Sequence, residues 1–110
     1  AATELTVRIR PNRFLVPDVA VEWSNRTQDP YPTDPIHLCV EILSPGDRLG
    51  DILLKADEYL QWGVPFVWIL DAENKVAYEL HQGRPLHEIP PGGALTASPI
   101  ALPLADLFSA

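Results

Sequence analysis

Between Ile36 and Asp71 the chain sets two almost uninterrupted apolar runs on either side of one amphipathic stretch, and no other feature narrows the fold as much. Ile36-His37-Leu38-Cys39-Val40-Glu41-Ile42-Leu43 and Pro65-Phe66-Val67-Trp68-Ile69-Leu70 read as strands buried on both faces. From about Leu49 to Trp62, the residues Ile52, Ala56, Tyr59 and Leu60 recur at helical spacing and form one apolar stripe. Gly63 is placed to close that helix in the left-handed conformation, with Pro65 just beyond. A buried strand, a helix and a second buried strand predict a parallel crossover, right-handed by the general rule.

The flanking segments add antiparallel material. Leu5, Val7 and Ile9 alternate with Thr6, Arg8 and Arg10 as in a half-buried strand, and Pro11-Asn12-Arg13 reads as a turn. Asp18 to Trp23 reads as a second strand, entered through Pro17. The polar stretch from Ser24 to Pro35 holds Pro30, Pro32 and Pro35 and reads as a stiffened loop between strands. Beyond Asp71, a polar turn leads to the alternating strand Lys75–Leu80, then to a short strand within Pro85–Ile89 and an amphipathic piece from Leu102 to Phe108. The expected class is α/β with a mixed sheet. One helix covers only one face of such a sheet, so the other face is expected to lie open or to be covered by a partner, a possible second copy of the chain.

Composition sets outer bounds. A length of 110 residues fits one domain, and 46% hydrophobic content is that of a globular chain. The formal charge of −7 argues against holding nucleic acid by a bulk positive field. That charge is uneven: residues 1–26 carry four arginines against three acids, a balance of +1, which leaves −8 on the remainder. No apolar run is long enough to cross a bilayer, so no membrane partner is expected. Cys39 is the only cysteine, so the fold does not rest on an oxidising compartment and a cytoplasmic location is expected.

Glu41 is the most informative single residue. A carboxylate in the middle of Leu38–Leu43 is costly unless its charge is satisfied, and alternation puts Cys39, Glu41 and Leu43 on one face. A strand-end carboxylate paired with an arginine, or one pointing into a solvent-filled cleft, explains it as well as a functional acid does. Asp18 begins the strand that can pair beside it, and two converging carboxylates suit a hard divalent cation. Taken alone, Asp18 is better read as a strand-start residue bonding the backbone. Lys55, one of two lysines, lies on the helix that packs against the Glu41 strand, where it could orient a water or neutralise phosphate charge. Its plain alternative is a surface ion pair with Asp51, which has the favourable i, i+4 order. Cys39 reads as a small core residue, and His37, His81 and His87 show no metal-ligand spacing. Arg8, Arg10 and Arg13 form a small basic cluster, read as an exposed strand face ahead of a phosphate contact.

Taken together, Val16-Pro17-Asp18-Val19, Val40-Glu41-Ile42-Leu43-Ser44-Pro45 and Asp51-x-x-x-Lys55-x-x-x-Tyr59-x-x-x-Gly63-Val64 resemble the Uma-type putative restriction endonucleases of the PD-(D/E)XK nuclease superfamily. The resemblance continues through Phe66–Asp71 and Leu102–Phe108. It implies a restriction-endonuclease-like mixed β-sheet with flanking helices and a divalent metal, Mg²⁺ or Mn²⁺. Asp18 and Glu41 would be its carboxylate ligands and the Ile42 carbonyl a further ligand. The lysine that usually follows the second acid by two residues is replaced here by Leu43, and the resemblance puts Lys55 in its role. Asp51 is a weaker candidate, equally explained by the helix dipole. Family members carry a further N-terminal region before the Pro-Asp strand, so the expectation is one domain over residues 1–110 that lacks that portion.

The leading expectation is a metal-dependent endonuclease acting on phosphodiesters of nucleic acid, DNA in the first instance, with Asp18, Glu41 and Lys55 as its catalytic residues. The alternative is a nuclease-like module without catalysis, used in assembly or nucleic-acid contact. A third class, a sugar hydrolase with Asp18 and Glu41 as acid and base, has no use for Lys55.

Overall fold

A computed structural model describes residues 5–22 and 35–108. Its centre is the predicted strand–helix–strand unit. Strand β4 (Leu38–Leu43), helix α1 (Leu49–Trp62) and strand β5 (Phe66–Asp71) follow one another, and β4 and β5 pair in parallel with Leu38 opposite Phe66 and Leu43 opposite Asp71. The helix carries no side-chain cap at Arg48, and Asp47 accepts the Ser44 N–H at 2.8 Å and closes the preceding turn. At its other end Gly63 has φ 117° and donates to the carbonyls of Tyr59 and Leu60. A β-carbon there would also stand 2.9 Å from Cγ of Pro35, so both backbone and space require glycine.

The remaining strands extend this unit. Before it come β1 (Val7–Arg10), β2 (Arg13–Leu15) and β3 (Val19–Val21). After it come β6 (Val76–His81), β7 (His87–Glu88), β8 (Ala94–Ala97), β9 (Ile100–Pro103) and the short helix α2 (Leu104–Leu107). The central sheet runs β3-β4-β5-β6-β7, antiparallel except at β4–β5, while β1–β2 and β8–β9 form separate hairpins. Strand β2 falls where the sequence predicts only a turn and its exit. The predicted second strand is confined to Val19–Val21 among the described residues; Trp23 and most of the proline loop lie outside them.

Two apolar layers sandwich the sheet. On one face Cys39, Val67 and Ile69 pack with Ala56 and Tyr59 of α1 and with Val7 and Leu15 of the first hairpin. On the other, Leu38, Val40, Trp68 and Ala77 pack with Leu95 and Ala97 of β8, joined by Ile100, Leu102, Leu104 and Leu107. The expectation of an uncovered second face is therefore wrong. Its cover is the β8–β9 hairpin with α2, of which the sequence pattern shows only the amphipathic piece from Leu102 to Phe108. Hairpin strands of four residues rich in alanine carry too little alternation to be seen. Polar ties fix this cover in place: Trp68 Nε1 donates to the Thr96 carbonyl at 3.1 Å, and the Thr96 N–H donates to Glu79 at 3.0 Å. The sequence argument for a second copy rested on that open face and loses its ground. Among the described residues no helix is long and apolar enough to cross a membrane.

Candidate active site

Glu41 lies on β4 between Cys39 and Leu43 and faces α1, with only 1% of its surface exposed. Three groups surround its carboxylate. Lys55 Nζ stands 2.6 Å from Oε1, the Tyr59 hydroxyl donates to the same oxygen at 3.1 Å, and the Asp18 N–H donates to Oε2 at 3.3 Å. The helix supplies two of these because Lys55 and Tyr59 are four residues apart and so lie one above the other on one face. Asp18 arrives from the other side, since β3 pairs antiparallel with β4 and Val19 is opposite Val40.

Asp18 itself is exposed, and its Oδ2 accepts the Ile42 N–H at 2.6 Å. The plain reading of Asp18, a strand-start residue bonding the backbone, thus describes a real contact, and that contact draws Asp18 towards Glu41. The plain reading of Lys55 does not fit. Its ammonium donates to the Val16 carbonyl at 3.2 Å and pairs with Glu41, while Asp51 is exposed in the first turn of α1. The structure therefore brings Asp18, Glu41, Ile42 and Lys55 to one place at the β3 edge of β4 and leaves Asp51 outside the cluster.

Electrostatics distinguishes Glu41 from an ordinary ion pair. Burial pushes its carboxyl above the usual glutamate range; the hydrogen bond and charge of Lys55 pull it back, and Asp18 pushes it up further. Burial also raises the Tyr59 hydroxyl, with the Glu41 charge adding to it, so Tyr59 stays a donor. The same pair of causes raises the Cys39 thiol, which is fully buried. Such a thiol is a core residue rather than a nucleophile.

Tyr59 is the site residue to which the sequence pattern assigns no role beyond its place in the apolar stripe and in the spaced motif. Its signal was present, because a tyrosine one turn beyond Lys55 on the face that meets a strand glutamate can present its hydroxyl to that acid. The basic cluster divides. A bulge in β1, where Arg8 pairs with Phe14 but Arg10 with Arg13, turns the end of the hairpin. Arg13 then reaches Glu58 on α1 at 3.0 Å, and Arg10 lines a hollow with Glu58, Gln61 and Trp62. Arg8 stays outside, its guanidinium over the Phe14 ring. No group of three or more His, Cys, Asp and Glu side chains suited to a metal ion occurs among the described residues. Any cation here would rest on two carboxylates together with backbone oxygen and water.

No curated protein matches the chain. Among solved structures, a putative nuclease belonging to DUF820 from Anabaena variabilis superposes with a TM-score of 0.81 at 19% identity, over 98% of this chain. At that identity the likeness shows the fold, a mixed sheet with its helix. The chain spans 66% of that neighbour's length. A family profile, described as a putative restriction endonuclease, matches residues 1–107. The chain belongs to this Uma2 family.

Proposed function

We propose that the chain is a divalent-metal-dependent endonuclease that hydrolyses phosphodiester bonds of nucleic acid, with DNA as its substrate. The observation that carries this reading is the convergence of Glu41, Lys55 and Asp18 at the β3 edge of β4, with Lys55 2.6 Å from a carboxyl that burial raises and the Lys55 ammonium pulls back. Family membership supports the same reaction class.

The donor set fits a hard cation. Asp18 and Glu41 offer carboxylate oxygens, and a strand residue points its N–H and C=O to the same side, so the Ile42 carbonyl shares the edge where its N–H meets Asp18. Two carboxylates and a carbonyl are what Mg²⁺ or Mn²⁺ accepts while keeping several waters. Asp18, Glu41 and the Ile42 carbonyl would hold the ion, which when bound supplies Lewis-acid polarisation of a phosphoryl oxygen and a water of lowered pKa. The chain's own groups do the rest. Tyr59 and Lys55 hold Oε1 of Glu41 from the helix side, which fixes the rotamer of the acid. Lys55, tethered by the Val16 carbonyl and partly exposed, presents N–H donors at the rim of the site. There an ammonium orients an attacking water and offsets charge developing on the phosphate.

Lys55→Ala separates the roles. Magnesium-dependent cleavage of plasmid DNA should be lost while calorimetry still records binding of Mn²⁺. Asp18→Asn should lose both. Cleavage retained in Asp18→Asn would overturn the site, and absence of Mn²⁺ binding to the wild type at millimolar metal would favour the module without catalysis.

A further inference from the structure

The outer side of the run from β2 to β3 carries a pattern that ends at the metal site and extends beyond it. Exposure alternates along it: Phe14 is 46% exposed, Leu15 is buried, Val16 is 45% exposed, Pro17 is buried and Asp18 is exposed. The exposed positions of this run, Phe14, Val16 and Asp18, thus form one outward row. At its far end the Arg8 guanidinium lies over the Phe14 ring, 6.0 Å from the centroid, and the two residues are register partners across the hairpin. At its near end Lys55 donates to the Val16 carbonyl, and half-exposed Ile42 donates its N–H to Asp18. Phe14 and Asp18 are four positions apart, so their Cα atoms are at most about 14 Å apart, a span of a few nucleotides.

The row runs from a guanidinium through an aromatic ring and an aliphatic side chain to the cluster of carboxylates and ammonium. Each part has a counterpart in a nucleic-acid strand. A guanidinium takes a phosphate, and a planar guanidinium–aromatic pair accepts the face of any base. Bases inside a duplex cannot reach such a face, whereas unpaired bases can. A protein partner would need a broader apolar patch than two side chains. Because the overall charge is −7, an arginine turned outward at the end of this row also lowers the repulsion that a polyanion meets there.

We infer that this row seats a single-stranded segment of the nucleic acid, with a base stacked on the Arg8–Phe14 pair, a phosphate on Arg8 and the next phosphodiesters led to Asp18. The inference rests on the nuclease reading for its last step, but its test does not. Fluorescence anisotropy is measured in EDTA with a labelled oligothymidine of about 16 nucleotides, so neither metal nor cleavage enters. Phe14→Ala should weaken binding about tenfold, the loss of one stacked base. Arg8→Gln should lower the slope of log affinity against log salt by about 0.7, the release expected for one phosphate contact on a single strand. Leu86→Ala, which removes another exposed apolar side chain, beyond β6, should change neither. Unchanged melting temperatures show that the exposed substitutions leave the fold intact.

Equal affinity of the wild type and both row variants overturns the row, even if magnesium-dependent cleavage is observed. Equal loss on a duplex of the same length overturns the single-strand assignment. A Phe14→Ala variant whose only change is dissociation of a dimer would show that a second copy covers the patch, and would also overturn it. Weakened binding in a protein that never cleaves leaves the row standing and removes the nuclease reading alone.

Discussion

Two carboxylates are buried near the same ends of the two parallel strands, and they are held in opposite ways. Glu41 on β4 is 1% exposed and Asp71 at the end of β5 is 7% exposed; Leu43 and Asp71 are register partners, so the two acids are close neighbours in the sheet. Asp71 is satisfied by its own turn. The Asn74 N–H donates to Oδ1 at 3.1 Å and the Asn74 side-chain amide to Oδ2 at 2.8 Å, which lowers its carboxyl below the usual aspartate range. Glu41 is satisfied by groups that come from elsewhere in the chain, and burial still raises it. Charge at Asp71 supports the fold, through an Asx-type turn that also holds Lys75 at φ 57°. Charge at Glu41 is a burden that the fold carries, and a buried acid of raised pKa beside a lysine marks a candidate functional site.

The sharpest test of that contrast is catalytic. Glu41→Gln should lower magnesium-dependent cleavage by more than the roughly 100-fold typical of losing a group that supports a metal ligand. Asp71→Asn, with the same change of charge near the end of the adjacent strand, should leave the cleavage rate where it was. Equal losses in a plasmid-nicking assay would break the distinction. A smaller effect is expected one shell out. Tyr59→Phe removes the hydroxyl from Glu41 Oε1 while keeping the ring in the core, and should weaken Mn²⁺ binding about 10–100-fold by calorimetry. A variant that melts lower but binds Mn²⁺ as before would make Tyr59 a packing residue only.

The contrast was half legible in the residues. Glu41 inside Leu38–Leu43 stood out because a charge in an apolar run has no cheap explanation, and the Leu49–Trp62 helix with its Gly63 cap followed from periodicity and punctuation. Lys55 could be placed on the facing helix, but i, i+4 spacing alone could not choose between Asp51 and Glu41 as its partner. That choice depends on which face of α1 meets β4, a matter of packing. Tyr59 was hidden because an aromatic in an apolar stripe is already explained by burial. The cover of the second sheet face was missed for a different reason. Strands β8 and β9 are recognised by pairing with each other and by contact with Trp68 and Ala77, and neither relation is written in a local pattern.

The acids also predict opposite responses of stability to pH. Because the folded pKa of Glu41 is raised, its protonated form is the one that favours the fold. That contribution is present below the ordinary glutamate value of 4.5 and is lost as pH rises through the folded value. Glu41→Gln should therefore gain thermal stability over the metal-free wild type as pH rises from acid to neutral, and the gap should narrow when Mn²⁺ is added to the wild type. A gap independent of pH would mean that Lys55 neutralises Glu41 completely.

For Asp71 the sign reverses, and the effect is the smallest of the set. Its folded pKa is lowered, so its contribution is present above the ordinary aspartate value of 3.8 and is lost as pH falls through the folded value. The two largest donor contributions come from Asn74 and a smaller one from the Glu73 N–H, so Asn74→Ala, which deletes the amide but keeps the backbone N–H, should remove part of the contribution and Asp71→Ala all of it. Melting curves near neutral pH should then rank wild type, Asn74→Ala and Asp71→Ala in falling order, and the three should converge towards strongly acid pH, where the wild-type carboxyl is itself protonated. Metal should move none of these differences, since both groups belong to the β5–β6 turn and not to the cluster around Glu41. A response of the Asp71→Ala gap to Mn²⁺ would place Asp71 in the metal site and erase the division between the two acids.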